Sequence, residues 1–439
     1  MPRMLPVQTM QFRILACCCL LACAMVFTST ALAQLPMPGL NSISPPGAKA
    51  GAELEVVIAG SNLDDADRLV FSHEGITATQ KMQPPGDFSK SERPVPGTFQ
   101  VKVAGNVPPG LYEVRAAGRY GMSNPRTFHV GSLNEANEVG GNSTVDKAME
   151  VAIGTIVNGQ TDNDGIDYFK VQATKGQRLL IDCWAQRIDS RMDASLVLYD
   201  SSGRELRRAH NTEGLDPVLQ LDAPADGTYT VGVYDFTYGG GGDFFYRLAI
   251  HSGPFIDFVF PPVGQPGASG KFTLYGRNLP GGKPVDGMQV DGNGLEMVEV
   301  DIAMPGDEAA RQRLGMSSFT LPLEGVVRSM SYQLTSPQGA SNSVDIGFAS
   351  APVVVEADEN DSPDKAQAIS VPCEYAGQFY PRGDADWVQF EAKQGDVFWV
   401  EVLSHRLGLP TDPVLTIQQV TKNEGGEESV SQVATNDDF

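Results

Sequence analysis

Apolar and polar residues alternate in short runs along the chain, and Pro and Gly separate the runs. Residues 54–58, 98–103, 111–114 and 229–233 show this pattern. An alternation with a period of two is typical of a strand that buries one face, and no stretch sustains a helical period. The pattern therefore predicts an all-β protein made of tandem β-sandwich domains.

The order of turn and strand signals occurs twice. Residues 45–63 return as residues 261–279 at an offset of 216, and residues 167–193 return as residues 386–412 at an offset of 219. A repeat unit of about 218 residues is too long for a stacked solenoid repeat, so each unit must enclose cores of its own. A break near Gly131 divides the unit into two unlike parts, each the size of one small sandwich. Four modules are therefore predicted.

The predicted organisation is a leader followed by these four modules. The boundaries are residues 1–33 for a signal peptide, 38–131 for the first sandwich, 132–252 for the second, 253–349 for the third and 350–439 for the fourth. The fourth module ends before the equivalents of residues 216–250, so we interpret the chain as a fragment whose last sandwich is truncated. Such a module is expected to expose half of its core and an open sheet edge.

The N-terminus has the form of an export signal. Arg3 and Arg13 precede an apolar run over residues 14–27, and residues 31–33 have the small-x-small form of a signal peptidase site. The alternative is lipoprotein processing, with a lipid anchor at Cys23. No later segment approaches the ~20 apolar residues that cross a bilayer. The sequence predicts an exported bacterial protein that is secreted, periplasmic or held at the cell surface.

The chain is acidic and poor in cysteine. Its net charge of −22 becomes −24 when the two arginines of the leader are removed, so nucleic acid and anionic lipid are not expected as partners. The acidity serves solubility, or some carboxylates cluster to hold divalent cations, and both readings stay open. Only Cys183 and Cys373 follow the leader, which excludes a disulfide framework.

Two stretches share a set of turn residues. The shared residues are 43–47, Gly51 and 60–63 in the first copy, and 261–262, Gly267 and 276–279 in the second. These stretches resemble the IPT/TIG family of immunoglobulin-like domains, which implies a rigid spacer or binding module in an extracellular protein. Gly60 and Gly276 are expected to permit a positive φ or a close backbone approach, and the Asn two residues later to hydrogen-bond its own turn.

Another set of motifs covers most of the second module. It comprises residues 135–138, 164–169, 175–177, 196–200 and 224–231, and part of it returns in residues 356–361, 384–387, 394–396 and 412–415. These motifs resemble the bacterial pre-peptidase C-terminal domain, a β-sandwich found beside catalytic domains in secreted peptidases and in large surface proteins.

Calcium is the cofactor that this second set of motifs suggests. Calcium takes six to eight oxygen ligands, and the leading segment and the Asp-rich loop of each copy supply carboxylates and amides. The candidate ligands are Glu135, Asn137, Glu138, Asp164 and Asp167 in the first copy, and Glu356, Asp358, Asn360, Asp361, Asp384 and Asp386 in the second. The resemblance extends to the collagen-binding domains of bacterial collagenases, where comparable segments hold calcium. The alternative is that these residues cap turns.

Arg187 and Arg406 occupy equivalent positions of the two copies. They either recognise a carboxylate or sulfate of a ligand or form internal ion pairs, with Asp193 and Asp412 as the partners considered. The internal ion pair is the favoured interpretation.

Catalytic motifs do not occur. The five histidines are spread over all four modules, and no His-Glu-x-x-His, Gly-x-Ser-x-Gly or Cys-His signature is present. The sequence predicts a non-catalytic adhesion or binding protein that is stabilised by calcium and binds an unidentified extracellular protein or polysaccharide. The alternative is an accessory region of a secreted peptidase or other hydrolase whose catalytic domain lies beyond Phe439.

Overall fold

A computed structural model describes residues 37–86, 90–212, 214–307, 328–357, 359–407, 409, 411–422 and 425–437. These residues form β-strands and short 3-10 helices, and no α-helix occurs among them. The 3-10 helices are Val145–Lys147, Gln186–Ile188, Pro363–Lys365 and His405–Leu407. Within the described ranges no helix has the length and apolar character needed to cross a membrane. The predicted all-β fold of tandem sandwiches is confirmed.

The first sandwich packs two sheets face to face. Its strands are β1 (Gly39–Ser44), β2 (Gly47–Lys49), β3 (Glu53–Ser61), β4 (Ala66–Phe71), β5 (Ile76–Gln83), β6 (Arg93–Val103), β7 (Gly110–Gly118), β8 (Gly121–Met122) and β9 (Arg126–Gly131). One sheet has the order β1-β3-β6-β5 and the other β2-β9-β7-β4, with β8 paired to β7. The alternation predicted from sequence is visible in β6, where Phe99, Val101 and Val103 are buried in the core.

The second sandwich has ten strands and the largest core. They are β10 (Asn134–Asn137), β11 (Met149–Glu150), β12 (Thr155–Gln160), β13 (Asp167–Ala173), β14 (Arg178–Trp184), β15 (Ala194–Tyr199), β16 (Glu205–His210), β17 (Val218–Asp222), β18 (Gly227–Asp235) and β19 (Phe245–His251). The two sheets have the orders β10-β12-β19-β14-β17 and β11-β13-β18-β15-β16. Each sheet therefore ends in an edge strand, β17 in one and β16 in the other.

The third sandwich repeats the first four-stranded order. Its strands are β20 (Phe255–Phe260), β21 (Val263–Gly264), β22 (Ser269–Arg277), β23 (Lys283–Val290), β24 (Asn293–Ala303), β25 (Ser329–Tyr332), β26 (Thr335–Ser336), β27 (Gly339–Ala340) and β28 (Val344–Phe348). One sheet has the order β20-β22-β24-β23, and it faces a smaller sheet β21-β28-β25. Phe272, Leu274 and Ile346 lie in the core between them.

The last described region consists of three separate strand pairs. Its strands are β29 (Val353–Val355), β30 (Gln367–Ala368), β31 (Glu374–Ala376), β32 (Val388–Gln389), β33 (Leu415–Lys422) and β34 (Glu428–Asn436). β29 pairs with β31, β30 with β32 and β33 with β34. Large apolar side chains face solvent here, with Val397 95% and Trp399 90% exposed.

Contacts join the first sandwich to the second and the second to the third. Leu111 of β7 packs with Ile188 and Phe245 of the second sandwich. On the other side, Arg178 of β14 forms an ion pair of 2.6 Å with Glu296 of β24. Apolar packing thus supports the first junction, and an ion pair supports the second.

Candidate metal centres

Glu135 lies on β10, which runs parallel to β12 at the edge of the second sandwich. Its carboxylate accepts hydrogen bonds from Arg247 Nη2 at 2.7 Å and from Asn158 Nδ2 at 3.0 Å. Arg247 is fully buried, and a buried guanidinium needs a compensating charge. The structure therefore shows both oxygens of Glu135 in contact with neighbouring side chains.

Glu138 and Asp167 come together around the Tyr246 hydroxyl. The hydroxyl lies 3.0 Å from Asp167 Oδ2 and 3.4 Å from Glu138 Oε1. Glu138 also accepts hydrogen bonds from Asn142 Nδ2 at 2.8 Å and from the backbone of Gln160 at 3.0 Å. The leading segment and the Asp-rich loop thus meet at this pair of carboxyl groups.

The two acids of this pair repel one another when both are ionised. Burial raises the pKa of Asp167 to about 7, and the negative charges of Glu138 and Asp162 contribute to the increase. Asp162 had not been identified from the sequence. A cation between these groups would favour their ionised forms.

Asn137 and Asp164 differ from that pair because both are exposed to solvent. Asn137 Oδ1 lies 3.5 Å from Asn158 Nδ2, a weak contact. Asp164 occupies the left-handed region at φ 57°, and its backbone amide donates to the carbonyl of Tyr238. The geometry of Asp164 is typical of a turn residue.

The last region holds a group of three acids. Ligand oxygens of Glu356, Asp384 and Asp386 all lie within 4.8 Å of one another. Glu356 accepts a hydrogen bond from the backbone of Gln378 at 2.6 Å, and Asp384 accepts one from the backbone of Tyr380 at 3.0 Å. These backbone bonds hold two of the three carboxylates in place.

Asn360 lies beside this group and is 1% exposed. Its Nδ2 donates to the Tyr375 hydroxyl at 2.7 Å and to Asp386 Oδ1 at 3.2 Å. Its Oδ1 has no hydrogen-bond partner among the described residues. A buried amide oxygen without a partner costs free energy unless a donor or a cation satisfies it.

Burial and mutual repulsion perturb the acids of this group. Burial raises the pKa of Glu356 to about 7, and the nearby Asp386 and Asp384 carboxyl groups add to the increase. Burial also raises the pKa of Asp386, with contributions from the charges of Asp384 and Asp361. Asp361 itself is exposed, and Asp358 lies outside the described residues.

The two acidic centres share an equivalent backbone hydrogen bond, and the sequence indicated only some of the residues around them. The backbone of Tyr168 donates to the carbonyl of Asn142, and that of Trp387 donates to the carbonyl of Asn360 in the same way. An offset of 218 relates Asn142 to Asn360, so the repeat contained the signal that would have identified Asn142. Tyr246 and Tyr375 were also missed, and no local motif marks them.

Arg187 forms an internal ion pair, as favoured from the sequence, but with other partners. Its Nη2 and Nε lie 2.5 Å from Asp182 and 2.9 Å from Asp216. Asp193, the partner considered from the sequence, instead contacts His210. Asp182 lies five residues before Arg187, across the turn after β14, and is buried beside the guanidinium. This placement explains why Arg187 pairs with Asp182 and not with Asp193.

Arg406 also has a partner other than the one considered from the sequence. It forms an ion pair of 2.5 Å with Glu401 rather than with Asp412. Each arginine thus contacts an acid five residues before it in the chain, Asp182 or Glu401, and Arg187 contacts Asp216 as well.

Comparison with known proteins places one family within the second sandwich. Residues 165–235 match the family described as "Bacterial pre-peptidase C-terminal domain". The chain carries a pre-peptidase C-terminal domain at these residues. The match includes Asp167 but ends before Tyr246. The full sequence matches no curated protein.

Solved structures resemble parts of the chain at low identity. The pre-peptidase C-terminal domain of a collagenase from Bacillus anthracis is 18% identical, with 24% of this chain and 93% of that chain covered and a TM-score of 0.20. PliG from Aeromonas hydrophila, a periplasmic inhibitor of g-type lysozyme, is 15% identical, with 26% and 97% covered and a TM-score of 0.19. The secreted serine protease VesC from Vibrio cholerae is 10% identical, with 46% and 48% covered and a TM-score of 0.17. Similarity at this level identifies no ligand.

Proposed function

We propose that this chain is a non-catalytic binding protein of the bacterial cell exterior, whose β-sandwiches hold an extracellular polysaccharide or protein. The observation that carries the proposal is the pre-peptidase C-terminal domain at residues 165–235, set among further sandwiches in tandem. The N-terminal leader supports export, and the acidic surface suits a soluble exterior protein.

The environments of the histidines support a non-catalytic role. His73 and His251 each accept a hydrogen bond from a backbone amide two residues later. His129 accepts one from Arg247, and His210 contacts Asp193. Each of these four rings thus has a structural contact, and burial lowers the pKa of His129 and of His251.

Co-sedimentation tests the binding role directly. The full chain is mixed with insoluble cellulose, chitin, pectin, peptidoglycan and collagen, and the bound fraction is measured after washing. We expect saturable retention on at least one of these materials. Heat-denatured chain is the control for non-specific adsorption. Equal retention of native and denatured chain on every material would rule the proposal out.

The proposal includes calcium at the acidic group of Glu356, Asp384 and Asp386. Hard carboxylate oxygens are the ligands that calcium prefers, and three of them converge here. The buried Oδ1 of Asn360, unpartnered among the described residues, offers a further oxygen beside Asp386. These residues therefore fit a calcium ion. The pair of Glu138 and Asp167 is the weaker candidate, because it brings together fewer acids.

Terbium luminescence tests the metal site without relying on ligand binding. Terbium replaces calcium and emits when a nearby tyrosine is excited, and Tyr375 is hydrogen-bonded to Asn360 at this site. We expect emission that calcium displaces, that Asp386→Asn removes and that Tyr375→Phe weakens. Glu428→Gln is the matched control, because Glu428 pairs with Lys422 outside the acidic group. Emission that survives Asp386→Asn would place the metal elsewhere.

The second candidate function is an accessory region of a secreted peptidase or other hydrolase. The family matched at residues 165–235 favours it, because that domain is described as pre-peptidase. Top-down mass spectrometry of the native polypeptide from the source cells discriminates the two. A mass well above that of residues 34–439, together with proteolytic activity of the longer chain, would support the accessory role.

A further inference from the structure

A polar cleft lies at the open edge of the second sandwich. Edge strands β16 and β17, which belong to opposite sheets, line one side, and the turn between β23 and β24 lines the other. The cleft measures about 330 Å³. A second cleft of about 180 Å³ shares Arg207 and Gln220 with it. Both clefts lie away from the two acidic centres described above.

Two arginines line this cleft, Arg207 and Arg208, and they differ in their partners. Arg207 shares one side of β16 with Ala209, which belongs to the core, so Arg207 extends from the inward side at the end of the sheet. Its Nη1 donates to Asn293 Oδ1 at 2.5 Å, and no carboxylate of the described residues forms an ion pair with it. Arg208 differs, since it pairs with Glu205. Arg207 therefore retains guanidinium donors for an anionic ligand.

Gln220 supplies an unpaired acceptor. It is 2% exposed and its Nε2 donates to Asp222 Oδ2 at 2.6 Å. Because an ionised carboxylate only accepts hydrogen bonds, this contact fixes the orientation of the amide. The other amide atom, Oε1, has no partner among the described residues. A donor from a ligand would satisfy a group whose burial is otherwise unfavourable.

The other polar residues that line the cleft also suit a ligand that carries hydroxyl groups. Asp291, Asn293 and Thr212 line the cleft with carboxylate, amide and hydroxyl groups. The Thr212 hydroxyl is already bonded to the backbone of Val218 in both directions. Asp291 is exposed at the turn and can accept hydrogen bonds from ligand hydroxyls. A volume of about 330 Å³ lies near the lower end of ~300–1,000 Å³ pockets, so the ligand is small or is one unit of a chain.

We propose that this cleft binds a uronic acid unit of an extracellular polysaccharide, with the carboxylate on Arg207 and a hydroxyl on Gln220. The inference rests on the proposed binding function and specifies its ligand class. A guanidinium suits a carboxylate, and an unpaired amide oxygen suits a hydroxyl. The net charge of −22 repels long polyanions, so the site suits an isolated uronate within a largely neutral glycan.

A matched pair of sugars tests the proposal on the full chain. Methyl β-glucuronide and methyl β-glucoside differ only at C6, which is a carboxylate in the first and a hydroxymethyl group in the second. Ligand-observed NMR titration compares their affinities at millimolar concentration. We expect the glucuronide to bind at least about tenfold more tightly, because only it pairs with the guanidinium. Equal affinities, or no binding of the glucuronide, would overturn the proposal. Acetyl-Gly-Gly, a peptide with a free carboxylate, that bound in place of the glucuronide would also overturn it.

Variants assign the binding to the cleft. Arg207→Gln and Gln220→Leu are each expected to weaken glucuronide binding about tenfold or more. Arg204→Gln is the matched control, because Arg204 pairs with Asp200 in the preceding turn and does not line the cleft. Because Arg207 is exposed, we expect its substitution to leave the fold intact, and an unchanged melting temperature would verify this.

The retention and glucuronide experiments together distinguish failure of the cleft proposal from failure of the proposed binding function. Polysaccharide retention that is unchanged in Arg207→Gln, with no glucuronide binding, would reject the cleft and keep the binding role. If the wild-type chain is retained on none of the materials, the binding role itself is rejected.

Discussion

Arg247 donates a hydrogen bond from Nε to Nδ1 of His129 at 3.2 Å, across the boundary between the first and second sandwiches. The imidazole also stacks on Trp184, with ring centroids 4.3 Å apart and planes 18° apart. An imidazole nitrogen that accepts a hydrogen bond carries no proton there. Glu135 balances the charge of Arg247. The guanidinium carbon of Arg187 lies 4.0 Å from the centroid of the Trp184 ring, on which the imidazole stacks. The junction therefore requires a neutral histidine between two arginines.

Acid is expected to destabilise this junction. Burial lowers the pKa of His129 well below its ordinary value, and the charges of Arg247 and Arg187 lower it further. The unfolded chain gains a proton as the pH falls through about 6.5, whereas folded His129 stays neutral. Stability that is fully present above that pH is therefore lost below it, by up to about 1.4 kcal/mol per pH unit. Thermal unfolding between about pH 7.5 and pH 4.5 measures the slope.

His129→Gln tests the assignment, because glutamine can accept a hydrogen bond from Arg247 and does not titrate. We expect a shallower loss of stability with acid in this variant. Some pH dependence will persist, because burial lowers the pKa of His251, while the raised pKa values of Asp167 and Glu356 act in the opposite direction. His73→Gln is the control, since His73 lies within the first sandwich and bonds its own turn. Identical slopes in wild type and His129→Gln would count against the junction as the acid-sensitive element.

Replacing Arg187 is expected to destabilise the second sandwich strongly. Arg187 pairs with Asp182 and with Asp216, whose side chain is fully buried. Arg187→Met keeps the aliphatic volume but leaves both carboxylates without their cation. Breaking a buried ion pair in this way costs about 3–5 kcal/mol. Urea unfolding followed by tryptophan fluorescence measures the change.

The repeat supplies a matched control for this variant. Arg406 holds the equivalent position, but its side chain is 31% exposed and that of its partner Glu401 is 46% exposed. Arg406→Met should therefore change stability by less than about 1 kcal/mol. An equal loss in both variants would show that burial of the pair does not determine the cost.

Calcium is expected to raise the melting temperature of the chain if it binds the acidic groups. A ligand at 100 times its dissociation constant stabilises the native state by about 2.7 kcal/mol. Differential scanning calorimetry in calcium and in EDTA provides the comparison. Asp386→Asn should remove the shift assigned to the last region, and Asp167→Asn the shift assigned to the second sandwich. A chain that melts identically in calcium and EDTA would contradict the calcium proposal.

The sequence predicted the strands well because their signal is local. In β6, the alternation of Phe99, Val101 and Val103 specifies which face is buried before any partner strand is known. The conserved spacing of the two copies likewise reflects local turns, such as Asn62 and Asn278 at φ 55° and 54°. The buried face of a strand follows from such a pattern without long-range information.

The candidate sites were predicted less completely because their contacts are distant in sequence. Glu135 meets Arg247, which lies 112 residues away, and no property of the leading segment indicates that pairing. The polar cleft at the edge of the second sandwich combines Arg207 and Gln220 with Asn293 of the next sandwich. Alternation places each side chain on a face of its strand, but only tertiary packing decides which faces meet.

Two equivalent glycines are expected to tolerate no side chain. A Cβ at Gly60 would lie 2.0 Å from the carbonyl oxygen of Gly39, and one at Gly276 would lie 2.0 Å from that of Phe255. The close backbone approach predicted from the sequence is confirmed at both positions. Alanine at either should cost about 1–3 kcal/mol or more, because backbone must move, whereas Gly105→Ala should change stability by less than about 0.5 kcal/mol, because open space surrounds it. Chemical denaturation of the three variants measures this, and an unaffected Gly60→Ala would mean that β1 and β3 separate without cost.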